Sequence, residues 1–127
     1  MPEKILYEYA IIRFVPKVER EEFVNVGVIV FSKREKYLKV KYFINDQRIN
    51  AFAHDFDLCF IDSNLKALSQ IAEGSNVYSG VSKFEIQERF RWLTAVRSSC
   101  IQTSRPHPGK TYNLDKLLEK LYREHVV

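Results

Sequence analysis

From Ile5 to Val15 the chain is dense in Tyr, Ile, Phe and Val, and Pro16 then removes a backbone donor. This pattern predicts a strand closed by a turn. Glu8 and Arg13 interrupt the run. Because successive strand residues alternate faces, the two point to opposite sides of a sheet, so one meets solvent while the other needs a partner. Lys17 to Glu22 is a solvated connection with room for one helical turn, and it leads through Phe23 into a second strand, Asn25 to Phe31. Gly27 is unfavourable inside a strand and predicts a bulge or the close approach of another backbone. After the polar run Ser32 to Lys36, Leu38, Val40 and Tyr42 alternate with Lys39 and Lys41. That is a strand with one wet face, so the second and third strands form an antiparallel hairpin.

The rest of the chain reads mainly as helix. Asn45 or Asp46 caps a short helix from Gln47 to about Ala53, with Ile49, Phe52 and Ala53 facing inward. A second helix starts at Asp62 or Ser63, turns Leu65, Leu68, Ile71 and Ala72 inward, and stops near Gly74. A loop rich in Gly and Ser follows, through Ser75, Asn76, Ser79 and Gly80. Phe84 to Leu93 has too few turn residues for a loop and fits a helix or a strand, a short helix being favoured. Ser99 to Thr103 reads as a fourth strand and Arg105 to Gly109 as a turn. Asn113 caps a last helix whose inner face carries Leu114, Leu117, Leu118 and Leu121. Strands precede most helices without βαβ alternation, which predicts an α+β fold: an antiparallel sheet of four or five strands packed with three or four helices, all on one side. At 127 residues, with no internal repeat or interdomain linker, residues 1–127 form a single domain.

Composition narrows the function classes. Apolar residues at 46% and charged residues at 28% are ordinary for a globular domain. The longest apolar run, Val26 to Phe31, is far too short to span a bilayer and reads as a buried strand. The first residues, Met1-Pro2-Glu3-Lys4, mix charges and lack both the basic region and the small-residue cleavage site of an export signal, so a cytoplasmic location is expected. Cys59 and Cys100 match neither a disulfide framework nor a zinc site. Charge is uneven: residues 1–63 balance ten basic against ten acidic side chains, whereas residues 64–127 carry ten and six, the entire +4 excess. No acid lies between Glu88 and Asp115, where Arg89, Arg91, Arg97, Arg105 and Lys110 occur. Such a stretch attracts phosphate, nucleic acid or an acidic protein surface unless acids elsewhere in the fold neutralise it.

Two blocks carry a family resemblance. One is Tyr9-Ala-Ile-Ile-Arg-Phe-Val-Pro16 with Glu22-Phe-Val-Asn-Val-Gly-Val-Ile29. The other is Glu88-Arg-Phe-Arg-Trp-Leu-Thr94 with Arg97-Ser98 and Ile101-Gln-Thr-Ser104. In this order they resemble the bacterial domain-of-unknown-function family 3037 over nearly the whole chain. The resemblance implies no activity. It implies a protein partner encoded beside this one, a kinase similar to the persistence-toxin serine/threonine kinases. The polar positions it carries over are Arg13, Glu22, Asn25, Arg89, Arg91, Trp92, Thr94, Arg97, Ser98, Gln102 and Ser104, with His107 and Gly109 in the turn. Arg105 is not marked by the family pattern.

Three constellations compete for a chemical role. Arg89, Arg91 and Arg97 with Trp92, Gln102 and His107 fit an anion pocket, because guanidinium groups offer paired donors and indole a stacking face. On a helix Arg89 and Arg91 diverge by about 200°, whereas on a strand they share a face. The alternative places Phe90 and Trp92 inward and pairs the arginines with Glu22, Glu85 or Glu88. His107 near Thr103 and Ser104 invites a hydrolase reading, but no nucleophile elbow accompanies it. His54, Asp55 and Asp57 lack a second cluster to close a metal site, and the four glycines are too scattered for a phosphate loop. The expectation is a non-catalytic protein-binding module without metal or cofactor, using Arg13, Glu22, Asn25, Arg89, Arg91, Trp92, Arg97, Gln102, Ser104 and His107. The alternative is an anion or nucleic-acid binder built on residues 89–110.

Overall fold

In the computed structural model, which describes residues 3–52, 54–75, 80–95 and 99–127, five strands form one antiparallel sheet. They are β1 (Ile5–Phe14), β2 (Val24–Ser32), β3 (Tyr37–Tyr42), β4 (Ile101–Thr103) and β5 (His107–Thr111). The order is β3-β2-β1-β4, with β5 also alongside β1. One edge of β1 takes the whole of β2, while its other edge is shared, β5 pairing with the N-terminal half and β4 with the C-terminal end. The helices are α1 (Asp46–Asn50), α2 (Leu58–Glu73), α3 (Ile86–Leu93) and α4 (Leu114–His125). Single 3-10 turns stand at Val18–Arg20 and Gly80–Lys83. The α+β arrangement matches the sequence reading, and among the described residues no helix is long and apolar enough to cross a membrane.

Helices lie on both faces of the sheet rather than one. Ala10, Ile12, Phe14, Ile29 and Phe31 pack with Ile61, Leu65 and Ile71 of α2 and with Phe90 and Leu93 of α3. Ile11, Val28 and Val30, on the reverse face, pack with Leu114, Leu118 and Leu121 of α4. The cause is visible in β2, where Val28, Ile29 and Val30 are all buried in succession. A strand without apolar/polar alternation needs cover on both sides, and each of these large side chains contributes about 1.5–3 kcal/mol by leaving water.

Local chemistry sets most boundaries. The Asn45 side chain accepts a hydrogen bond from Arg48 N at 3.1 Å and starts α1. Asn113 does the same for α4 through Lys116 N at 3.0 Å. Helix α2 begins earlier than the sequence pattern suggests, because Asp57 accepts from Cys59 N at 2.8 Å and is the true cap. Ser63 instead lies inside the helix, donating to Cys59 O at 2.8 Å. Most of Phe84 to Leu93, whose pattern fits helix or strand, folds as the helix α3. The stretch read as a turn, Arg105 to Gly109, is largely strand: β5 runs in register from Tyr9↔His107 to Ile5↔Thr111. Pro108 is tolerated because this short strand has β1 as its one partner and needs no donor toward the other side. Ala53, expected on the inner face of α1, and Asn76 and Ser79 of the expected loop lie outside the described residues.

Gly27 meets both expectations. The register shifts between Ile12↔Gly27 and Arg13↔Asn25, so Val26 is the extra residue of a bulge. A Cβ on Gly27 would lie 3.0 Å from Tyr42 Cβ and 3.1 Å from Lys41 O. The bulge rotates Asn25 onto the face that carries Arg13, and the candidate site depends on this.

Candidate binding site on the open sheet face

Helix α4 lies across β2 and β3. A polar latch holds it there: the Tyr37 hydroxyl donates to Asp115 Oδ1 at 2.8 Å, Lys39 reaches the same oxygen at 3.3 Å, and Lys41 pairs with Glu119. At the helix end, Arg48 donates to Val126 O at 2.7 Å. The hydrogen bond from Tyr37, and then that from Lys39, hold Asp115 below the usual carboxylate range, and Lys41 does the same for Glu119. Burial, reinforced by Asp115, pushes the Tyr37 hydroxyl up. On the β1, β4 and β5 side, the same face keeps Tyr7, Tyr9, Arg13 and Gln102 half-buried and His107 exposed.

Across this half-open face runs one row of polar residues. Arg13 on β1 is paired with Asn25 on β2 and with Gln102 on β4, so the three side chains rise side by side from adjacent strands. The Arg13 guanidinium lies 4.2 Å from the centre of the Phe23 ring, and Phe23 is itself 44% exposed. Gln102 is oriented by its own amide, which donates to Ser99 O at 2.8 Å. Arg13 Nε and Asn25 Oδ1 are both buried and have no hydrogen-bond partner among the described residues. Native folds rarely leave such atoms unpaired, and the exceptions mark strain or function. Beside the row, the Tyr9 ring lies tilted against His107 at 5.3 Å and stacks on His125 at 6.4 Å. A hollow of about 410 Å³ opens next to Asn25, lined also by Phe23, Arg48, Phe52 and His125.

The remaining sequence-derived residues fall elsewhere. Glu22 pairs with Arg20 at 2.8 Å beside the first turn. Arg89 is used within the fold: its guanidinium donates to Ala72 O at 3.3 Å and to Phe84 O at 2.9 Å, closing the C-terminal end of α2. Arg91 points away from it, as expected on a helix, toward a groove on the opposite sheet face. Trp92 is 38% exposed on α3, and Arg97 and Ser98 lie outside the described residues. The anion pocket of Arg89, Arg91, Trp92, Gln102 and His107 is therefore not assembled. Gln102 and His107 belong to the reverse face from Arg91, and Arg89 already has carbonyl partners. Glu85 accepts from Gln87 at 2.7 Å rather than from an arginine.

Ser104 is a structural hydroxyl, accepting from Ile11 N at 2.9 Å and donating to Arg105 O at 3.2 Å, which extends the β1–β4 ladder. No imidazole is among the partners of this hydroxyl, and His107 lies against Tyr9 instead. His54 accepts from Phe56 N at 3.0 Å and meets Phe14 edge-on, and Asp57 is spent as a cap, so the metal reading does not assemble. Among the described residues no group of His, Cys, Asp and Glu is placed to hold a metal ion. Burial pushes the Cys100 thiol up, away from the reactive thiolate. Sequence reasoning missed Phe23 as a site residue, although an aromatic just before a bulged strand and two positions from Asn25 was the available signal.

No curated protein and no solved structure matches the chain. A family profile described as a protein of unknown function, DUF3037, matches residues 9–126. The blocks that carry the resemblance thus include every member of the Arg13 row, and the chain belongs to the DUF3037 family.

Proposed function

We propose that this domain is a non-catalytic protein-binding module of the bacterial cytoplasm, and that the Arg13 row receives a carboxylate from an acidic segment of its partner. The carrying observation is Arg13, whose guanidinium lies over the Phe23 ring and whose Nε has no hydrogen-bond partner among the described residues, with Asn25 and Gln102 on either side. A guanidinium binds a carboxylate through two parallel donors, and one fixed by an aromatic face loses little freedom on binding. Exposed Phe23 and the Tyr9–His107 ring pair supply the apolar and aromatic rim that protein interfaces favour. A kinase-like protein encoded beside this one, which the family resemblance implies, is the partner this reading puts first.

A nucleic-acid track needs several phosphates neutralised along one surface. The basic stretch offers less than its sequence suggests, because Arg89 is committed to the end of α2 and Arg91 faces away from Gln102. The test is affinity capture from the native host with the wild-type domain and with Arg13→Met, at low and moderate salt. The expected result is a stoichiometric protein retained at moderate salt, lost with Arg13→Met, and displaced by an acidic peptide. Nuclease-sensitive material that is lost with salt and indifferent to Arg13 would overturn the reading in favour of nucleic acid.

A further inference from the structure

A second site lies on the other face of the sheet, independent of the Arg13 row. Between α3 and the N-terminal half of β1 runs a groove of about 400 Å³, large enough for a small organic ligand. Its floor is Leu6 and Glu8 of β1 with Phe31 of β2, its outer wall Pro106 and Pro108, and its roof Phe90 and Arg91 of α3 with Thr94 at the helix end. The inner end is closed by Phe31 and Phe90, whose rings stack at 4.7 Å.

Glu8 is the anomaly. It stands in the central strand on the core face, opposite Phe31 on one side and Pro108 on the other, and two residues before fully buried Ala10. It is half-buried, and its carboxylate makes no hydrogen bond or ion pair among the described residues. A carboxylate in that position is costly to desolvate unless something pairs with it. Two cations, Arg91 and Lys33, line the same groove and likewise have no partner among the described residues. The groove therefore offers one unpaired anion on its floor, two unpaired cations at its walls, and apolar surface from Leu6, Phe31, Phe90 and the two prolines between them.

We infer that this groove binds a small zwitterion with an apolar side chain, an α-amino acid or dipeptide, its ammonium group on Glu8 and its carboxylate on Arg91 and Lys33. The ammonium satisfies the stranded carboxylate. The ligand carboxylate takes the paired donors of Arg91, and the side chain covers Phe90 and the prolines.

Nuclear magnetic resonance titration of the ¹⁵N-labelled full chain tests this, with L-leucine and leucyl-leucine as probes and N-acetyl-leucine and leucinamide as their end-blocked counterparts. The expected result is saturable shifts at Glu8, Arg91 and Thr94 for at least one free zwitterion. Blocking either end should weaken binding by about tenfold or more, the loss of one charge-assisted hydrogen bond. Glu8→Gln, close in shape, should weaken the free zwitterion by a similar factor, while Arg13→Met leaves it unchanged. The blocked ligands probe the same two contacts without altering the protein. No saturable shift with either probe, or equal binding of blocked and free forms, would overturn the inference and leave the Arg13 reading untouched.

Discussion

Replacing Arg13 by Met should make the protein more stable while abolishing its binding. The guanidinium Nε is buried without an acceptor, and an unsatisfied buried donor costs about 1–3 kcal/mol. Against this stands the contact with Phe23 at 4.2 Å, worth about 0.5–1 kcal/mol for a partly exposed cation over a ring. Methionine is unbranched, reaches the same ring, and recovers about 0.3–1.5 kcal/mol through sulfur–aromatic contact. The balance favours the variant by about 2 kcal/mol, which for a domain of this size raises the melting temperature by roughly 8 °C. Urea unfolding is the assay: the midpoint should rise with the slope unchanged, so that the shift reports stability alone. A midpoint that falls by the equivalent of about 1 kcal/mol or more, a tenfold loss in the folding equilibrium, would show the opposite. Arg13 would then be a structural residue whose packing on Phe23 matters more to the fold than to a ligand.

Gly27→Ala should cost about 1–3 kcal/mol by overpacking, since its Cβ would press on Tyr42 Cβ and on the rigid Lys41 carbonyl; an unchanged thermal midpoint would show that the bulge yields freely. Ser104→Ala strips the Ile11 amide of its partner and should destabilise by about 1–3 kcal/mol, with binding at the Arg13 row retained once the protein is folded; an ester or peptide hydrolysed by the wild type and not by this folded variant would instead revive a catalytic hydroxyl. The α4 latch predicts an acid limb. Asp115 and Glu119 are held below the ordinary carboxylate range, so their contribution is present above the unfolded-state values near pH 4 and drains away as pH falls through the lower folded-state values. Thermal melts between about pH 6 and 2, a range set by those ordinary and lowered values, should therefore drop less steeply for Asp115→Asn than for the wild type; parallel curves would show that the latch adds nothing to acid stability.

Much of the fold is legible in the chain, for physical reasons that can be named. Asn45 and Asn113 announce their helices because an Asn side chain can reach the amide three residues on. Gly27 announces the bulge because no other residue fits beneath Tyr42. Three features stay hidden. The uninterrupted Val26–Phe31 run contains the information that both faces are covered, but a helix on the far side is a tertiary fact that local pattern does not locate. The run His107-Pro-Gly-Lys-Thr111 carries the residues of a turn and is a strand because β1 has a free edge to give it. Asp57, followed by Leu58 and Phe60, is hard to recognise as a cap because Asp62 and Ser63 compete for the same role.

The candidate site divides along similar lines. Arg13, Asn25 and Gln102 come from three separate segments, and only the register of β1 with β2 and β4 brings them into one row. The basic stretch is conspicuous in sequence and dispersed in space, because a helix turns Arg89 and Arg91 apart and the carbonyls at the end of α2 claim the first of them. Contiguity of charge along a chain predicts a field on a surface only when the segment is a strand or a loop. Here it is a helix followed by a strand on another face.

Carboxylate binding at the Arg13 row can be watched on the Arg13 Nε–H resonance itself, followed in ¹⁵N-labelled protein while an acidic peptide such as hexaglutamate is added at moderate salt. A saturable downfield shift of that proton is expected, accompanied by the side-chain amides of Asn25 and Gln102 and absent with hexaglutamine. A resonance that stays in place while other surfaces respond, or that responds equally to both peptides, would mean that the row does not receive a carboxylate.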